Sequence, residues 1–112
     1  MTDPIFDWNQ LAQLAGGDAE FEQELLGLFI GDVEDSLIQL VEAADRADVS
    51  KVEHLAHYIK GASANVGATA LAHVAGQLEQ EAQKSKLNQA SSLIETLKVR
   101  CQETKHAIEI RY

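Results

Sequence analysis

Apolar residues recur at helical spacing through nearly the whole chain, and this periodicity leaves few folds open to it. From Asp18 to about Arg46, Leu26, Phe29, Val33, Leu37, Leu40 and Ala44 share one face, with Phe21, Leu25 and Leu28 widening it. Glu22, Asp32, Glu34, Asp35 and Glu42 are assigned to the opposite, solvent side. A second helix begins at Asp48 or Ser50 and closes at Asn65-Val66-Gly67, residues that tolerate a left-handed cap. After a tight turn a third runs from about Thr69 to Lys84, with Leu71, Val74, Ala75, Leu78 and Ala82 on one face. Residues 84–88 form the next turn, and a last helix from about Gln89 towards Arg111 buries Ala90, Leu93, Ile94, Leu97, Cys101 and Ile108. Ahead of these, Asp7 caps a short helix holding Trp8, Leu11 and Leu14, which Gly16-Gly17 ends. The expected fold is all-α: an antiparallel up-and-down four-helix bundle with a short extra N-terminal helix, a single domain over residues 1–112. Gly27 and Gly31 cost about 1 kcal/mol each inside a helix. They call for a closely packed neighbour or a bend.

Composition narrows the function. Eighteen acidic residues against nine basic ones give a net charge of −9, and the bases are scattered. Nucleic acid and anionic membrane surfaces are therefore excluded as partners. The one cysteine, Cys101, has no internal partner and falls on an apolar stripe, where it packs as a small hydrophobe. Met1-Thr2-Asp3-Pro4 lacks the basic and apolar regions of a signal peptide, and no apolar run approaches a membrane span. A cytoplasmic location is expected.

One histidine stands on the wrong face of its helix. With Ile59 at the centre of the core face, Val52, Leu55, Ala56, Ala62, Ser63 and Val66 lie within about 60° of it, whereas His57 lies about 160° away. Its imidazole is expected to point into solvent. Gly61 follows one turn on, beside His57, in an exposed helical position that has no packing reason to demand glycine. With Ala64 it clears the approach to the ring. Lys60, three residues on, carries an ammonium on a flexible stem. A nucleophilic nitrogen, a nearby cation and an open approach are the parts needed to carry a phosphoryl group.

Other chemistries fit less well. His54 lies about 140° from the core centre on the other side, so His54 and His57 do not converge with His73 on a metal inside the bundle. Glu103-Thr104-Lys105-His106 supplies one Glu-x-x-His element where a di-iron bundle needs two and further carboxylates. No metal site is expected. A catalytic triad is not expected because Ser63 faces the core and no acid is placed to orient His57 across the helix, although Glu53, four residues back, could contact it at the surface. Nothing resembles an ATP-binding loop.

The string His57-x-x-Lys60-Gly61-x-Ser63-x-x-x-Gly67 resembles the motif of histidine-containing phosphotransfer (HPt) domains, and the helical layout fits that family from about Asp7 onward. The resemblance implies a phosphorelay intermediate, a phosphocarrier rather than an enzyme. His57 would accept a phosphoryl group from the aspartate of one receiver domain and pass it to another. Nε2 would be the phosphorylated atom by the same analogy, and Lys60 a charge partner for the phosphoryl oxygens. Glu53, His54, Gly61 and Ala64 would face the partner. Ser63, Asn65 and Gly67 would be structural, Ser63 by bonding back to the backbone and Asn65 by helping to close the helix. The expected partners are receiver domains of hybrid histidine kinases and response regulators, which bring the Mg²⁺; the protein itself needs no cofactor and works as a monomer. The alternatives are a non-catalytic adaptor bundle and the phosphorylated domain of a chemotaxis-type histidine kinase.

Overall fold

Three aspartates start the first three helices. In a computed structural model, which describes residues 5–112, a carboxylate oxygen of Asp7 accepts the backbone N–H of Gln10, Asp18 that of Phe21 and Asp48 that of Lys51. Helix α1 spans Trp8–Ala15, α2 Ala19–Asp45, α3 Val49–Val66, α4 Thr69–Gln83 and α5 Ala90–Arg111. The chain is all-helical over the described residues, and Met1–Pro4 lie outside them. Left-handed glycines close α1 and α3: Gly16 at φ +63° and Gly67 at φ +80°.

Helix α3 packs on α4 and α2, and α5 closes against both of those, so that a single core forms between the four long helices. Leu26, Val33, Leu40, Val52, Ile59, Leu71, Leu78 and Leu97 are wholly removed from solvent in it. Helix α1 lies across α2 and α3 and buries Leu11. It is fastened to the end of α3. The Asp7 N–H donates to the carbonyl of Gly67 at 2.7 Å, and Gln10 Nε2 donates to the carbonyl of Ala64 at 2.5 Å. Phe6 stacks on Trp8, whose ring lies under the Arg111 guanidinium at 4.4 Å.

The apolar stripe of α2 is narrower than its sequence suggests. Leu28 is 72% exposed and Phe21 47%, and Leu14 of α1 is also half in solvent. Glu22, assigned to the solvent side, is buried instead. Its carboxylate accepts Arg111 Nε at 2.8 Å and the Tyr112 hydroxyl, so the end of α5 is tied to the start of α2. Burial alone would raise the Glu22 pKa, but these two donors and the Arg111 charge outweigh it and hold the group below the usual carboxylate range. The closely packed neighbour expected at Gly27 and Gly31 is not found, because a Cβ at either would meet nothing within 4 Å.

Candidate functional site

The site is built on α3 and α4. Val52, Ala56, Ile59 and Ser63 turn one face of α3 into the core, which carries His57 outward on the other with 68% of its side chain exposed. Helix α4 presents Glu79 beneath it. This carboxylate sits on the apolar stripe of Leu71, Ala75, Leu78 and Ala82, and its side chain is only 8% exposed. One oxygen, Oε2, lies 2.6 Å from His57 Nδ1, and the other, Oε1, lies 2.7 Å from Lys60 Nζ.

That geometry selects the tautomer. The Lys60 hydrogen bond is the largest influence on Glu79 and, with the His57 contact, overrides burial to hold its pKa below the usual carboxylate range. Glu79 is therefore ionised at neutral pH and can only accept. The proton between it and the ring belongs to Nδ1, and in the neutral ring the lone pair resides on Nε2, pointing away from α4. The bond also spares a buried carboxylate from standing unpaired.

The surroundings leave Nε2 accessible. A Cβ at Gly61 would meet no atom within 4 Å, and Ala64 is exposed one turn beyond it. Grooves open between α3 and α4 on either side of His57: Ser50, Glu53, His54 and Gln83 line one, and Lys60, Ala72, His73 and Gly76 line the other. Tyr58 donates its hydroxyl to Asp32 at 3.1 Å and ties α3 to α2 beside the site.

The sequence-predicted residues separate into two groups. His57, Lys60 and Gly61 converge, with Glu53 and His54 beside them along the groove. Ser63, Asn65 and Gly67 do not reach the ring. Gly67 is structural in a specific way: beyond its positive φ, a Cβ there would come within 2.7 Å of the Asp7 carbonyl oxygen. Asn65 is exposed in the last turn, and the residue in the left-handed conformation is Gly67. The expected back-bond of Ser63 is not made, for its buried Oγ has no hydrogen-bond partner among the described residues. Contrary to the expectation that no acid would orient His57, Glu79 of α4 does so, because the register of the two helices brings its carboxylate to Nδ1. Among the described residues no group of three or more His, Cys, Asp or Glu side chains is placed to hold a metal ion, and no helix is long and apolar enough to cross a membrane.

Comparison with known proteins assigns the family. Residues 24–107 match the Hpt domain family. This chain belongs to that family. Histidine-containing phosphotransfer protein B (HptB) of Pseudomonas aeruginosa superposes on this Hpt domain with a TM-score of 0.91 at 31% identity, covering 99% of each chain. The phosphorelay intermediate protein rdeA of Dictyostelium discoideum is 32% identical over 98 residues, 88% of this chain and 39% of that protein. The sensor histidine kinase AruS of Pseudomonas aeruginosa is 38% identical over 58 residues, 52% of this chain and 6% of that kinase. The Hpt domain thus spans about two fifths of the first of these curated relatives and a small part of the second.

Proposed function

We propose that this Hpt domain is a histidine phosphocarrier of a multistep phosphorelay, with His57 as the phosphoacceptor. The observation that carries the proposal is the Nδ1–Glu79 hydrogen bond, which leaves the Nε2 lone pair on the exposed side of the ring. In the forward step that lone pair attacks the phosphorus of a receiver's aspartyl phosphate. The N–P bond forms as the P–O bond to aspartate breaks, and the aspartate departs as a carboxylate. The ring then carries its phosphoryl group on Nε2 and its proton on Nδ1, where Glu79 balances the positive charge that develops. Transfer to a second receiver reverses these steps. Proton removal from Nε2 is never required, so the domain needs no general base and is not itself an enzyme.

The chain would dock receiver domains of hybrid histidine kinases and response regulators. Gly61, Ala64, Glu53 and His54 would lie under the partner, and Mg²⁺ would come from the receiver's acidic pocket, so the domain holds no cofactor of its own. Short connections between α2, α3, α4 and α5 support an antiparallel up-and-down four-helix bundle, read as one domain over residues 1–112 that acts as a cytoplasmic monomer. The test is incubation with a phosphorylated receiver domain, followed by assay for acid-labile, base-stable phosphate. Label on the wild type that is absent from a folded His57→Gln variant supports the reading. Equal label on both removes His57 from it.

A further inference from the structure

Glu79 is bonded to two cationic or potentially cationic groups at once, through different oxygens. We infer that Lys60 serves first as the counter-ion of Glu79, so that His57 can hold that carboxylate with a neutral ring and keep Nε2 unprotonated. The inference rests on His57 as phosphoacceptor and gives Lys60 a task before any phosphoryl group arrives.

The reasoning starts from burial. A carboxylate as enclosed as Glu79 requires a positive partner. Were His57 its sole partner, the favourable arrangement would place a second proton on the ring, because an imidazolium pairs with a buried carboxylate better than a neutral imidazole does. Both nitrogens would then be donors and no lone pair would remain. Lys60 removes that demand, since its ammonium occupies Oε1 at 2.7 Å and leaves Oε2 to accept from a neutral Nδ1–H. The lowered Glu79 pKa, to which Lys60 contributes most, agrees with this division.

The Lys60 stem lies against α4 on its way to Glu79, since a Cβ at position 76 would sit in ordinary van der Waals contact with Lys60 Cδ at 3.4 Å. The remaining titratable groups near the carboxylate are Glu53 and His54 of α3 and His73 of α4, which line the grooves around it; α5 lines neither groove. None of these makes the close contact to Glu79 that Lys60 makes.

The experiment reads the ring directly and needs no receiver. The His57 imidazole is titrated by nitrogen-detected NMR in the wild type and in Lys60→Met, Lys60→Arg and Glu79→Gln, and its carbethoxylation by diethyl pyrocarbonate is followed by site-resolved mass spectrometry. Methionine keeps the stem over Gly76 and removes only the charge. In Lys60→Met the ring midpoint is expected to rise and carbethoxylation within the titration range to slow. Lys60→Arg is expected to stay near the wild type, and Glu79→Gln to move the midpoint downward. A midpoint and carbethoxylation rate unchanged in Lys60→Met would overturn the inference. If transfer from a receiver still slowed in that variant, Lys60 would be acting on the phosphoryl group itself and the phosphocarrier reading would stand. Absence of label on His57 from any receiver would remove the phosphocarrier reading without touching the titration result.

Discussion

Replacing Gly61 by glutamine separates stability from function at a single position. Glycine in a helix interior is about 1 kcal/mol worse than alanine and glutamine only a few tenths worse, so the substitution gains about 0.5–0.8 kcal/mol. Nothing has to be subtracted for packing, because a Cβ at position 61 meets no atom within 4 Å. For a domain of this size the gain corresponds to a rise in Tm of about 2–4 °C. In urea the midpoint should move up with the m-value unchanged. Transfer should move the other way, since the new side chain stands one turn from His57 in the space a receiver must enter. A misplacement of about 1 Å at a reacting centre costs on the order of 100-fold, so an initial transfer rate lower by about an order of magnitude or more is expected. Gly61→Ala should be still more stable and lose less rate. A destabilised Gly61→Gln would refute the open-space argument, and transfer at the wild-type rate would refute the docking argument.

Gly67→Ala has the opposite sign. It places a side chain at φ +80° and drives a Cβ into the Asp7 carbonyl, at a cost of about 1–2 kcal/mol for the left-handed backbone and about 0.5–1.5 kcal/mol for the Asp7–Gly67 hydrogen bond. Thermal melts followed by circular dichroism should lose about 2–3 kcal/mol, and a loss under 1 kcal/mol would show that α1 docks otherwise. Ser63→Ala removes a buried hydroxyl without a partner and should raise stability by about 0.5–1 kcal/mol in urea titrations; a loss would reveal a hydrogen bond to Oγ. Acid should weaken the fold through Glu22 and Glu79. Both ionise more readily folded than unfolded, so their contribution is present above the unfolded value near 4.5 and is lost as pH falls through their lower folded values. Tm measured against pH should fall less steeply below that point in a Glu22→Gln/Glu79→Gln double variant, and an unchanged slope would sever the link.

The helix ends were legible because their signals are local. Asp7 and Asp18 cap where their sequence context predicts, Asp48 is the one of two candidates that caps α3, and Gly16 and Gly67 adopt the left-handed conformation that only glycine reaches readily. The exposure of His57 followed from the wheel for the same reason. Glu79 was not legible from α3, since its meeting with His57 depends on the register of two helices. A sign of it was present nevertheless. Glu79 stands four residues after Ala75 and three before Ala82, and a carboxylate on an apolar stripe must find a partner. Glu22 carries the same sign, four residues before Leu26 and seven before Phe29, and its partners lie at the far end of the chain. Leu28 and Phe21 mislead in the other direction, because an apolar residue on the flank of a stripe carries no mark of whether a neighbouring helix reaches it.

The fastening of α1 bears on how the domain breathes. Asp7 and Gln10 grip the carbonyls that end α3, and Trp8 lies beneath Arg111, which Glu22 holds in turn. Opening α1 exposes the carbonyls that end α3 and parts Trp8 from Arg111. Amide hydrogens in residues 8–15, in the last turn of α3 and in the last turn of α5 should therefore exchange with solvent in step, as one cooperative unit. His57 and Glu79 lie outside that unit, on a helical hairpin whose contacts span 22 residues of chain, so the site can keep its geometry through excursions that release both ends of the polypeptide.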